Sequence, residues 1–184
     1  MNNILNIKSF EDYKDKIKIF KLHGRRINET YELSPCVVEI KTDCIKDLVK
    51  KSLGYDDFSY YLLFSDMFSC VKEKEIIYIN DDVFYNGEDY SGVTKSFDNY
   101  LSDKENKTRT RRQFNYHFNE KLCVHGVQFF EDKKFLIINF RSCDYIKKFP
   151  LDVLLFYTLC VNYDIKVDTF YCFFGSLHIY KKEL

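Results

Sequence analysis

The segment LDVLLFYTLCVN, Leu151 to Asn162, constrains this chain more than any other. It is long enough for a helix and apolar nearly all round, so it has no face to give to water and belongs in the centre of a domain. On either side stand runs of β-branched and aromatic residues, Phe135 to Phe140 and Asp168 to Phe174, which read as strands; Glu75 to Asn80 and Gly126 to Phe130 have the same character. Asp43 to Leu53 places Ile45, Leu48, Val49 and Leu53 at helical spacing with lysines on the other face, and Phe58 to Phe68 reads as a second, more buried helix. The mixture is α+β. With 184 residues, two prolines and no repeat or low-complexity tract, the whole chain, 1–184, reads as one compact domain able to bury a core.

Composition narrows the function classes. The 28 basic and 28 acidic side chains cancel, which leaves no global electrostatic case for nucleic acid or an anionic membrane, so an anionic ligand has to be held by a local cluster. No run approaches the roughly 20 apolar residues of a membrane helix, and the opening MNNILNIKSFEDYKDKIKIF carries charges throughout rather than a signal-peptide apolar block. A cytoplasmic protein is expected. Seven dispersed cysteines, with no CxxC pair and no Cys/His zinc spacing, point to free thiols and to no metal.

Two acids and an arginine surround the mouth of the apolar helix, in RSCDYIKKFPLD, Arg141 to Asp152. Helix capping is the plain reading of Asp144 and Asp152. Further along stands GSLHIY, with His178 and Tyr180 two apart and hence on one face of a strand. Upstream, LCVHGVQFF places Cys123 five residues before Gln128, and the charged run SDKENKTRTRR, Ser102 to Arg112, reads as a solvated loop that ends in Arg111 and Arg112.

In this order the motifs resemble the thymidylate synthase and deoxycytidylate hydroxymethylase superfamily. Arg141, Ser142, Asp144 and Pro150 follow its Arg-Ser-x-Asp and proline loop, and Gly175, His178 and Tyr180 follow its Gly-Asp-x-His-x-Tyr. Thr110-Arg111-Arg112 resembles its Ser-Arg-Arg, and Arg26 to Leu33 its N-terminal phosphate-loop pattern. The resemblance implies a large mixed β-sheet packed against helices, with two subunits dimerising through the sheet. It implies that Arg26, Arg141 and Ser142, with Arg111 and Arg112 of a second copy, bind the phosphate of a pyrimidine nucleoside monophosphate. Gln128 is carried into the nucleotide-binding set by its spacing, and His178 and Tyr180 would hold the sugar 3′-hydroxyl.

The same resemblance makes Cys123 the nucleophile. A pyrimidine gains reactivity at C5 only after something adds to C6, and a thiolate does so by Michael addition; arginines nearby raise the thiolate fraction. The one-carbon donor would be 5,10-methylenetetrahydrofolate. Asp152 stands where thymidylate synthases carry asparagine, and a carboxyl group suits the 4-amino group and N3 of cytosine, which favours dCMP or CMP over dUMP. Asp144 resembles the family's residue near the pyrimidine and pterin.

Departures also stand in the sequence. Val124 replaces a histidine, Lys148 a loop glycine and Ser176 an aspartate, and Tyr61 to Phe64 lacks the glutamate of the family's Glu-Leu-Leu-Trp. The chain reaches its last residues, KKEL, just after Tyr180, where the family continues into a segment that closes over folate. The expectation is a hydroxymethylase acting on (d)CMP. The alternatives are a nucleotide-binding homologue, a sensor or partner protein without the chemistry, and a divergent thymidylate synthase acting on dUMP.

Overall fold

The computed structural model describes residues 4–53, 91–105, 114–118 and 123–184. In chain order these form β1 (Ile4–Ile7), α1 (Phe10–His23), β2 (Arg25–Ile27), β3 (Thr30–Leu33), β4 (Cys36–Lys41), α2 (Ile45–Leu53), α3 (Ser91–Glu105), β5 (Asn115–His117), β6 (Val124–Phe130), β7 (Phe135–Asp144), α4 (Phe149–Asn162) and β8 (Thr169–Tyr180). The expected helix at Phe58 to Phe68 and strand at Glu75 to Asn80 fall outside the described residues.

One mixed sheet of eight strands carries the fold, in the order β1-β4-β8-β7-β6-β5, with β3 alongside the far half of β8 and β2 outside β3. β7 and β8 run parallel, and so do β1 and β4; the other pairs are antiparallel. Parallel neighbours need a long crossover, and α4 is the crossover from β7 to β8. That position explains its composition. Ten of its residues are buried, including Leu151, Val153, Leu154, Leu155, Phe156 and Leu159. At 14 residues it spans about 21 Å, short of a roughly 30 Å bilayer core. No described helix is long and apolar enough to cross a membrane.

α1 was not legible from apolar periodicity, because lysines and acids crowd it. Its start is marked by Ser9, whose hydroxyl accepts from the Asp12 amide at 3.1 Å, and its buried line is Tyr13 and Phe20. Residues 102–105, where a loop was expected to begin, belong to the last turn of α3; the rest of that charged run lies outside the described residues. The charges ride on a helix whose other side is apolar: Phe97 and Tyr100 lie 5.0 and 4.1 Å from the Phe129 ring.

Among the described residues, the face of the sheet opposite the helices is largely half-buried rather than part of the core. Val37, Phe130, Phe135, Ile137, Tyr171 and Phe173 stand on it outside the core, with Phe130 stacked on Phe135 at 4.6 Å and Phe135 edge-on to Tyr171 at 5.4 Å. Phe173 is 41% exposed.

A crease crosses the sheet. Core-facing residues on a regular strand recur every second position. Here Phe174 is followed by Leu177, Phe140 by Cys143, and Leu33 precedes Cys36, each an odd step of three. The register aligns these steps: Cys36, Phe174, Phe140 and Val124 form one row, and Leu33, Leu177 and Cys143 the next. On β6 the pairing itself slips between Val124 and Gly126, a bulge that shifts the strand by one residue. At Gly175 the strands approach so closely that a Cβ would lie 2.7 Å from the Arg141 carbonyl oxygen, so only glycine fits without displacement.

Beyond the crease, α1 is locked to the turn after β7 by two tyrosines. The Tyr13 hydroxyl donates to the Tyr145 carbonyl at 2.9 Å, the Tyr145 hydroxyl donates to the Tyr13 carbonyl at 3.1 Å, and the rings stack at 4.7 Å. Tyr145→Phe leaves the Tyr13 carbonyl without that donor in a buried site. A loss of about 1–3 kcal/mol is expected in urea unfolding, with the denaturant slope unchanged.

Candidate functional site

The expected site residues gather where β7 and β8 leave the crease and α4 begins. Arg141 and Ser142 end the long strand β7, and the backbone amide of Arg141 donates to the carbonyl of Cys123 at 2.7 Å, which ties the nucleophile candidate to the arginine of Arg-Ser. Ser142 is in register with Ser176, and Asp144 with His178. The Tyr145 amide donates to the His178 carbonyl at 2.8 Å, so the turn into α4 is pinned to β8 at the level of His178. Tyr180 is two residues further, its ring edge-on to His178 at 5.6 Å, as residues on one strand face should be.

The two acids have different tasks. Asp144 is buried, and its Oδ1 accepts from the amides of Ile146 and Lys147 at 2.9 and 3.0 Å. It therefore builds the turn that leads into α4 and is not the helix cap its position suggested: the N-cap of α4 is Lys148, which has no side-chain cap bond. Asp152 lies one turn into the helix, its amide bonded to the Lys148 carbonyl at 2.9 Å. Its carboxylate faces the sheet, where Oδ2 accepts from the Cys143 thiol at 3.3 Å.

Of the six described cysteines, Cys123 alone is not buried. Burial pushes the Cys36 thiol up to about 12 and Cys44 to about 11. Burial, and then the charge and hydrogen bonding of Asp152, hold Cys143 well above the ordinary thiol range, and burial does the same for Cys172. These thiols are protonated and shielded at neutral pH, the opposite of what a nucleophile needs.

Other expected residues fall elsewhere. Arg26 is exposed on β2, in register with Tyr31 and through it with Ile179. Its neighbour Arg25 is in register with Glu32, and Glu32 with His178, so the pleat puts Arg25 and not Arg26 in the row of His178 and Asp144. Gln128 pairs with Ile137, five residues up β7 from Ser142, which is about 16 Å along the strand. It lies on the aromatic face away from the core and does not join the cluster. Thr110, Arg111 and Arg112 lie outside the described residues, as do Tyr61 to Phe64. Sequence reasoning overlooked Cys143, which looked like a spacer inside Arg-Ser-x-Asp, and Arg25 and Glu32, which only strand register connects to His178.

Chemically, the cluster combines an accessible thiol, an arginine and two serines at strand ends, a His-Tyr pair on one strand, and a carboxylate held at the start of a buried helix. Iodoacetamide at pH 8 is expected to modify Cys123 at least about tenfold faster than Cys36, Cys44, Cys143, Cys160 or Cys172, read by peptide mass spectrometry of the native protein. Faster labelling of any of those five would remove Cys123 from its place as the accessible thiol. No protein-family model matches the chain, and no curated protein matches it in sequence.

Proposed function

We propose that the crease binds a pyrimidine nucleoside monophosphate and that the protein is a one-carbon transferase of the (d)CMP hydroxymethylase kind. The observation that carries this reading is placement: Cys123, Arg141, Ser142, Asp152, His178 and Tyr180 come from separate stretches of the chain and stand near one end of β7 and β8, Asp152 beside Cys143 on the helix side and Ser142, His178 and Tyr180 at alternate strand positions. These are the residue types that the chemistry would use. Arg141, with Ser142 and Ser176 in register beside it, would take the phosphate by charge-assisted hydrogen bonds. His178 and Tyr180 would address the sugar, and the Asp152 carboxylate would accept from the 4-amino group of cytosine.

On the pyrimidine, the Cys123 thiolate adds to C6, the C5–C6 double bond becomes an enolate-like nucleophile at C5, and C5 attacks a one-carbon unit at the oxidation level of formaldehyde. Loss of the C5 proton, release of the donor's amine as the bond between it and the transferred carbon breaks, addition of water to that carbon to give the hydroxymethyl group, and expulsion of the thiolate from C6 would restore the ring. Methylenetetrahydrofolate supplies the carbon in the resembling family. Cys123 is assigned to the addition at C6 and Asp152 to the base, while Lys148, where the resemblance expects a loop glycine near folate, is bound through its backbone to the Asp144 carbonyl.

Tritium release from C5-labelled dCMP, CMP and dUMP tests the chemistry. Release from a cytosine nucleotide that Cys123→Ser abolishes is the expected result. Release from dUMP alone would favour a thymidylate synthase, and nucleotide binding without release would mean a binding protein on the same scaffold.

The sheet face away from the core, half-buried except at Phe173, supports the second part of the reading, a homodimer formed sheet to sheet. Val37, Phe130, Phe135, Ile137, Tyr171 and Phe173 give it an aromatic surface of the kind that interfaces bury. Light scattering should find a dimer for the wild type and a monomer for Phe173→Asp; a monomeric wild type would refute this arrangement.

A further inference from the structure

Cys143 has no part in the chemistry just described, yet it touches the residue on which base choice depends. It is 3% exposed, in the second row of the crease beside Leu177, and its Sγ stands 3.3 Å from Asp152 Oδ2. Burial, together with the neighbouring negative charge, keeps the thiol protonated, and Asp152 Oδ2 is the nearer of its two acceptors, the other being the Asp144 carbonyl at 3.5 Å. The main chain of Asp152 is held by its amide bond to the Lys148 carbonyl. A strand residue and a helix residue thus form one donor–acceptor pair across the sheet–helix boundary.

We infer that Cys143 is a positioning residue for base recognition, its S–H holding the Asp152 carboxylate in the orientation that accepts from the 4-amino group of a cytosine nucleotide. The inference rests on the nucleotide reading of this site. A carboxylate free to turn has to be ordered when the base arrives, and an acceptor already held spares that cost. The orientation matters for discrimination, because a held carboxylate oxygen can accept from the 4-amino group of cytosine, whereas it faces the lone pairs of uracil O4 unfavourably. Removing the thiol therefore relaxes the choice of base more than it weakens binding as a whole.

The test is calorimetric binding of dCMP and dUMP to the full chain and to its Cys143→Ala, Cys143→Ser and Asp152→Asn variants. Cys143→Ala is expected to narrow the preference for dCMP over dUMP by about three- to tenfold. Cys143→Ser keeps a donor and should return most of that preference, while Asp152→Asn should shift it toward dUMP. A thiol that only fills space would lower both affinities together and leave their ratio alone. The infrared S–H band, assigned by difference against Cys143→Ala, should shift in Asp152→Asn. An unchanged dCMP/dUMP ratio in Cys143→Ala, failure of serine to restore it, or an S–H band indifferent to Asp152 overturns the inference while leaving nucleotide binding intact. If the wild type binds neither nucleotide, the functional reading falls and takes this inference with it.

Discussion

The burial of α4 against the sheet is the constraint on which the rest depends. A helix apolar on nearly every side satisfies its own backbone polar groups and gains only by losing contact with water, at about 25 cal/mol per Å² of apolar surface. The chain meets that demand by making α4 the crossover between two parallel strands, with Phe149 close to Phe174 and Tyr145 and Phe156 close to Phe97. Once α4 is so placed, its first turn must lie beside the ends of β7 and β8. The carboxylate at its fourth residue, Asp152, then reaches the sheet, and the site becomes a consequence of how the core is closed.

The crease determines what stands at that position. In a flat ladder the row of Phe140 and Phe174 would be followed, two residues on, by another core-facing row. The odd step of three instead brings Cys143 and Leu177 inward and leaves Ser142 and Ser176 between the two buried rows. Gly175 permits this by letting the Arg141 carbonyl approach where a side chain would collide. Asp144 and the Tyr13–Tyr145 pair then hold the turn that leads back into the helix. Each of these features links local backbone geometry to the placement of a polar group at the same strand ends.

The sequence motifs were informative to unequal degrees, for physical reasons. His178 and Tyr180 were legible as a pair because residues two apart on a strand share a face, whereas Arg141 and Ser142, side by side, were named by the resemblance and not by spacing. The capping reading of Asp144 found the right kind of bond but not the right place, since its amide partners lie in the turn before α4. For Asp152 no local pattern could reveal that its carboxylate meets the Cys143 thiol, because that contact joins a helix to a strand. Gln128 and Arg26 were selected by spacing within their segments, yet register across strands sets them apart from His178. Arg25 and Cys143 were passed over for the same reason in reverse.

By itself, the sequence determined that this chain is α+β, that Leu151 to Asn162 is a central helix, and that strands flank it. Those features follow from periodicity and apolar content, which act over a few residues. It also carried the ordered motifs on which the proposed nucleotide reading rests. Only the tertiary structure decided the strand order, the crease, the bond between Cys143 and Asp152, and which arginine shares a row with His178. Each of these depends on contacts between segments far apart in the chain, where registers that differ by one residue put opposite side chains on a face and local sequence holds little energy to choose between them.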